Sequence, residues 1–119
     1  MKPLLLTARV IIGLSGISLL ILGLLFWTGR ALSLLPVHMF LGMALVLGLW
    51  LVAILALRAR LAKGLVLLVL IFSLIMPALG IKQMQLLPGD LHWLIRLLHL
   101  LVGVAAIGLG QMLARRIKA

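Results

Sequence analysis

The run ALSLLPVHMFLGMALVLGLWLVAILAL, residues 31–57, decides the fold, because it carries no charged residue over the full length of a bilayer crossing. A helix needs about 20 apolar residues to cross a hydrocarbon core of about 30 Å. Three further apolar runs without a charge occupy residues 10–29, 64–81 and 97–114. The sequence therefore predicts an all-α protein, a single transmembrane four-helix bundle over residues 1–119, with spans at about 4–28, 34–58, 63–81 and 90–114.

The composition agrees with a lipid environment and excludes several classes of function. Hydrophobic residues make up 66% of the chain and charged residues 10%, which is more apolar surface than a soluble domain of this length buries. Cysteine is absent, which excludes disulfides, iron–sulfur clusters and covalently attached c-type haem. Asp90 is the only acidic residue, so a carboxylate proton relay or a cation-coupled transporter lacks the groups it needs.

The basic residues indicate topology rather than nucleic-acid binding. Eight of the eleven fall on one side of the predicted spans: Lys2, Arg9, Arg58, Arg60, Lys63, Arg115, Arg116 and Lys118. The positive-inside rule places that side, with both termini, in the cytoplasm. We therefore expect a multi-pass protein of the bacterial inner membrane, whose partners are the lipid bilayer and other membrane components.

Short connections between the spans predict an up-down-up-down bundle. Pro36 and Pro88 fit helix starts, and Asp90 is an N-cap candidate for span 4. Two echoes indicate a duplicated hairpin: LLPVH parallels LLPGDLH, and HMFLG at residues 38–42 parallels HLLVG at residues 99–103. The first echo pairs His38 with His92 and the second pairs it with His99, so the register of the repeat stays open.

Three histidines lie near the outer ends of spans 2 and 4, which run in the same direction. His38 lies about 30 Å along the helix from Arg58, while His99 and His92 lie about 24 and 35 Å from Arg115. His38 is thus intermediate in depth, and either of the others can face it. On span 4, His92, Arg96 and His99 share one helix face, which continues inward through small residues: Gly103, Ala106 and Gly110.

Two imidazoles on opposite sides of an iron are the ligands that a b-type haem requires, without a covalent attachment. We predict His38 as one axial ligand and His99 as the preferred second, with His92 as its substitute. Gly42 and Gly103 lie one turn beyond these ligands and let the macrocycle approach the helix backbone. No other metal site is favoured, since transition-metal sites usually add carboxylate or thiolate ligands.

These features resemble the bacterial transmembrane b-type cytochromes, a broad group that includes cytochrome b561-like proteins and the haem-bearing membrane subunits of dehydrogenases. The resemblance rests on four spans, histidines on facing helices, and the motifs HMFLG and HLLVG. It implies non-covalent haem B, bis-histidine ligation and electron exchange with quinol or a redox partner, with a quinone as a second candidate cofactor. Two-haem members need four histidines at two depths, whereas this chain has three in one half. We therefore expect one haem and an electron-transfer protein rather than a stand-alone enzyme.

Alternative interpretations of the same residues stay open. Arg96 and Arg30 are candidates for pairing with haem propionates, but Arg96 on its own also fits a side chain that extends to the outer head groups. Histidines near helix starts often only keep a polar tip in water, and glycine stripes often only permit close helix packing. The competing hypothesis is therefore a cofactor-free accessory subunit of a larger membrane complex.

Overall fold

The computed structural model describes residues 2–61 and 63–117. The chain forms four α-helices, α1 (Lys2–Trp27), α2 (Leu35–Arg58), α3 (Lys63–Lys82) and α4 (His92–Arg116), with short 3-10 turns at Leu32–Leu34 and Gln83–Gln85. All four helices are long and apolar enough to cross a membrane, which confirms the predicted all-α bundle of a multi-pass membrane protein. Lys118, one of the basic residues counted above, lies outside the described residues.

The helices form a flattened bundle in which each helix packs against the next. Contacts join α1 to α2, α2 to α3, α3 to α4 and α4 back to α1. Of the two diagonals, α2 and α4 are in contact, whereas the described parts of α1 and α3 are not. We call the end that holds the first residues of α1 and the last residues of α4 the termini end, and the opposite end the histidine end. Side chains on α2 and α4 can therefore meet across the short diagonal.

Backbone turns determine the helix ends, and the start of α4 differs from the predicted one. After α1, Gly29 adopts a left-handed φ of 77° and the chain closes with hydrogen bonds from Gly29 N to Phe26 O and from Arg30 N to Leu25 O, a Schellman motif. Pro36 is the second residue of α2, as predicted, whereas Pro88 lies in the connection four residues before α4 begins and does not mark the helix start. The prediction of Asp90 as N-cap is wrong: Leu91 occupies that position and makes no side-chain cap. The amide of His92 instead donates to the Gly89 carbonyl at 3.1 Å, so the turn through Gly89 takes over the role of the carboxylate.

The closely packed core is concentrated toward the termini end. Its largest fully buried side chains include Ile12 of α1, Leu49 and Val52 of α2, and Leu113 of α4. Glycine permits the closest helix approach here. A Cβ added at Gly110 would overlap the Leu49 side chain, because the backbone of α4 lies directly against that side chain.

Candidate histidine site

His38 and His99 face each other across the short diagonal of the bundle. His38 lies in the first turn of α2, and His99 lies about two turns into α4. Their ring centroids are 6.5 Å apart and their planes are inclined by 56°. The structure therefore brings together the two histidines that the sequence analysis preferred as a pair.

Each of these rings packs against a glycine of the helix that precedes it in the chain. A Cβ added at Gly23 of α1 would lie 3.8 Å from His38 Cε1, and one added at Gly80 of α3 would lie 3.1 Å from His99 Cε1. The two contacts differ in position, since His38 lies in the first turn of α2 and His99 about two turns into α4. His38 and His99 are the histidines that the HMFLG–HLLVG echo aligns, and the duplication of the hairpin stays a prediction.

Two residues of this site were not predicted from the sequence. Phe26 of α1 meets the His38 ring in an edge-to-face arrangement, with centroids 5.2 Å apart. Gly80 supports His99, and the backbone of Met76, one turn earlier on α3, is also close to that ring. A glycine inside an apolar span, at a depth comparable to that of a histidine on the next span, was the available signal for Gly80. For Phe26 the pattern held no comparable signal.

His92 lies apart from this pair. It is the first residue of α4, and its Nδ1 lies 3.2 Å from the carbonyl oxygen of Leu86 in the preceding connection, within hydrogen-bonding distance. That contact holds the ring against the connection between α3 and α4. The structure thus places His99, not His92, opposite His38.

The three histidines carry buried nitrogen atoms without a hydrogen-bond partner in the described part of the chain. They are Nδ1 of His38, Nδ1 of His99 and Nε2 of His92. An unsatisfied buried polar group costs about 1–3 kcal/mol, so a partner for such an atom is strongly favoured. Two of these atoms, Nδ1 of His38 and Nδ1 of His99, belong to the facing pair.

Gly42 and Gly103 differ from the glycines of the packed core. Within the described ranges, no heavy atom lies within 4 Å of a Cβ built at either position. Each lies four residues beyond one member of the histidine pair, on the same helix. A larger side chain at either position would therefore start in open space.

The two predicted arginines stay at the surface. Arg96 lies on α4 between His92 and His99, and Arg30 lies in the connection after α1; both side chains are exposed. Both belong to the histidine end of the bundle, where a guanidinium can reach an anionic group at the membrane boundary.

The distance between the two rings can be compared with the geometry of two imidazoles on one metal ion. A bond from a transition metal to an imidazole nitrogen is about 2 Å long and the ring centroid lies about 1 Å further, so two axial imidazoles have centroids about 6 Å apart. The 6.5 Å separation is close to that value. The described residues contain no group of three or more histidine, cysteine, aspartate or glutamate side chains suited to a metal ion. A metal ion bound between His38 and His99 therefore needs further ligands from outside this set of side chains.

Comparison with known proteins finds no match: no family model, no curated protein and no solved structure matches this chain.

Proposed function

We propose that this protein is a membrane b-type cytochrome that binds one haem B between His38 and His99 and transfers electrons to or from quinol or a redox partner. The observation that carries the proposal is the facing pair itself, with its 6.5 Å centroid separation and an orphaned nitrogen on each ring. We place the protein in the bacterial inner membrane with both termini in the cytoplasm, on the distribution of its basic residues.

The side chains of the site have separate roles in this proposal. His38 and His99 would hold the haem iron through a nitrogen of each ring, while the open positions at Gly42 and Gly103 would leave room for a flat macrocycle. Bound haem supplies a one-electron couple of its iron. With two histidines as ligands the iron would keep no open position for oxygen, so electron transfer would be favoured over oxygen chemistry.

The surroundings of the pair support exchange at one side of the membrane only. All three histidines belong to the histidine end, so this chain alone does not carry electrons across the bilayer. Arg96 and Arg30 are exposed at that end and suit haem propionates or the carboxylates of a partner. In this proposal His92 does not ligate the haem iron. Its ring contacts the Leu86 carbonyl and suits a hydrogen bond to a haem propionate or to a quinone.

The test is the visible spectrum of the detergent-purified protein, oxidised and then reduced with dithionite, beside three alanine variants. We expect a low-spin haem B spectrum that is lost in His38→Ala and in His99→Ala and retained in His92→Ala. The His92 variant is the matched control, because it removes the same side chain at the same end of the bundle. Loss of the spectrum in His92→Ala with retention in His99→Ala would move the second ligand to His92.

A fourth variant tests the space beside the pair without touching a ligand. In Gly103→Leu the new side chain starts in space that the described atoms leave open, so the fold tolerates it. The same side chain occupies the volume proposed for the macrocycle, so we expect reduced haem content. The thermal transition of the haem-free protein should not be lowered, because leucine has the higher helix propensity.

The competing function is a cofactor-free accessory subunit of a larger membrane complex. Close packing of the helices around Gly16 and Gly48 favours this function. A Cβ at Gly16 would lie 2.9 Å from Ile107 Cδ1, and one at Gly48 would lie 3.0 Å from Ile12 Cγ1. Glycines of this kind build a compact scaffold. A purified protein that is colourless and stays colourless after haem is added would refute the cytochrome and leave the scaffold as the better account.

A further inference from the structure

A groove between α1 and α4 at the termini end combines cations with apolar side chains. It consists of two adjoining cavities of about 540 and 290 Å³, which share Leu6 and Arg9 in their walls. We call it the basic groove and define it by the following residues: Lys2, Leu6, Arg9, Val10, Gly108 and Arg115. It lies at the opposite end of the bundle from the histidines and has no part in the function proposed above.

A hydrogen bond between the two helices shapes the floor of the basic groove. The Gln111 side chain of α4 donates from Nε2 to the backbone carbonyl of Arg9 on α1 at 3.0 Å. Arg115 lies one turn beyond Gln111, about 6 Å along α4, and Lys2 lies about 10 Å from Arg9 along α1. The three cationic residues therefore line a strip of about 10 Å, a length suited to a phosphate-bearing head group.

These cations have no acidic side chain nearby. The only aspartate or glutamate of the chain, Asp90, lies in the connection at the histidine end. Guanidinium groups bind phosphate and carboxylate alike through paired N–H donors, so two arginines on facing helices suit an anionic head group. The charge of the basic groove thus calls for an external anion.

The remaining wall of the groove is apolar and faces the surface that lipid covers. Leu6 is 64% exposed and Val10 is 47% exposed. At Gly108, among the atoms that the structure describes, an added Cβ meets nothing within 4 Å. A ligand that suits this wall and the cations together is an amphiphile, with its anionic group at the termini end and its chain alongside α1 and α4.

We propose that the basic groove binds one anionic phospholipid, with the head-group phosphate at Arg9, Arg115 and Lys2 and an acyl chain along Leu6, Val10 and Gly108. Basic pockets between transmembrane helices on the cytoplasmic side are known sites for such head groups. With both termini in the cytoplasm, the lipid belongs to the cytoplasmic leaflet.

The test is native mass spectrometry of the full chain in neutral detergent, titrated with phosphatidylglycerol or with phosphatidylcholine of the same acyl chains. We expect one retained phosphatidylglycerol and weaker binding of phosphatidylcholine. Arg9→Gln and Arg115→Gln each lower the phosphatidylglycerol affinity about fivefold. Arg58→Gln, which removes a charge at the same end but outside the groove, changes it less than about twofold.

Two further measurements distinguish a defined lipid site from general attraction to positive charge and from a site for free phosphate. Gly108→Leu fills the apolar part of the groove and keeps every charge, so we expect it to reduce phosphatidylglycerol retention as well; because it alters no cation, it also carries the test if an arginine variant fails to fold. Inorganic phosphate at millimolar concentration leaves the lipid bound. The proposal is overturned by equal loss in Arg58→Gln, by full retention in Gly108→Leu, by equal binding of the two lipids, or by displacement of the lipid with phosphate.

Discussion

Gly80 and Gly23 occupy equivalent places beneath the two histidines but differ in how much room they leave. An alanine Cβ at Gly80 would lie 3.1 Å from His99 Cε1, whereas one at Gly23 would lie 3.8 Å from His38 Cε1. Ordinary carbon–carbon contact begins at about 3.5 Å, so Gly80→Ala displaces the His99 ring by about 0.4 Å and Gly23→Ala displaces nothing. Metal sites tolerate about 0.2 Å of ligand displacement, so only the first substitution moves a nitrogen beyond that tolerance.

We expect Gly80→Ala to lower haem affinity about tenfold, the usual effect of disturbing a group that orients a metal ligand, and Gly23→Ala to leave it within about twofold. The assay is titration of haem into the purified haem-free variants, followed by absorption. A second readout does not involve haem. Both substitutions gain about 0.5–1 kcal/mol of helix propensity, but Gly80→Ala loses that gain to the displaced ring, so its thermal transition lies below that of Gly23→Ala. Equal haem affinities together with equal transitions would refute the account of the site.

Two further predictions concern the stability of the bundle, each measured as a thermal transition in detergent. In Gly110→Ala the new methyl group overlaps the fully buried Leu49, so the variant should be destabilised by about 1–2 kcal/mol. Gly108→Ala, two residues away in open space, should be slightly stabilised. A Gly110→Ala variant as stable as the parent would contradict the packing described here. Arg60 adopts a left-handed φ of 58° in the turn after α2, so Arg60→Gly should stabilise the protein by about 1 kcal/mol. A lowered thermal transition would show that the Arg60 side chain stabilises the protein by more than its backbone conformation costs.

The fold follows from the sequence because each span exceeds the length that a bilayer requires and is separated from the next by charged or turn residues. Helix ends are less predictable. Asp90 has the chemistry of an N-cap, yet the α4 helix starts two residues later, since the left-handed Gly89 turns the chain so that its own carbonyl accepts the His92 amide. A backbone turn of this kind competes with a side-chain cap at the same location, and residue types alone do not decide between them.

The histidine pair is predictable in part, for a similar reason. Depth along the helices left His92 and His99 equivalent as partners of His38. Both histidines lie on the same face of α4, so the choice depends on the axial position of the helix: α4 begins at His92, whose ring contacts the Leu86 carbonyl, and His99 lies at the level of His38. The rotation of α3 is a property of the packed bundle, which is why Gly80 was not predicted as a support for His99.

Glycine occurs in this bundle both at closely packed positions and at open ones. The sequence placed Gly103 and Gly110 on one stripe of α4, and small residues on a stripe indicate close packing or free space equally well. Gly110 lies against Leu49 in the packed half, while Gly103 borders open space below His99. One stripe of α4 thus includes both a closely packed position and an open one. In the proposed cytochrome, the packed core holds the two rings at a defined separation, and the open position at Gly103 leaves room beside His99 for a flat cofactor.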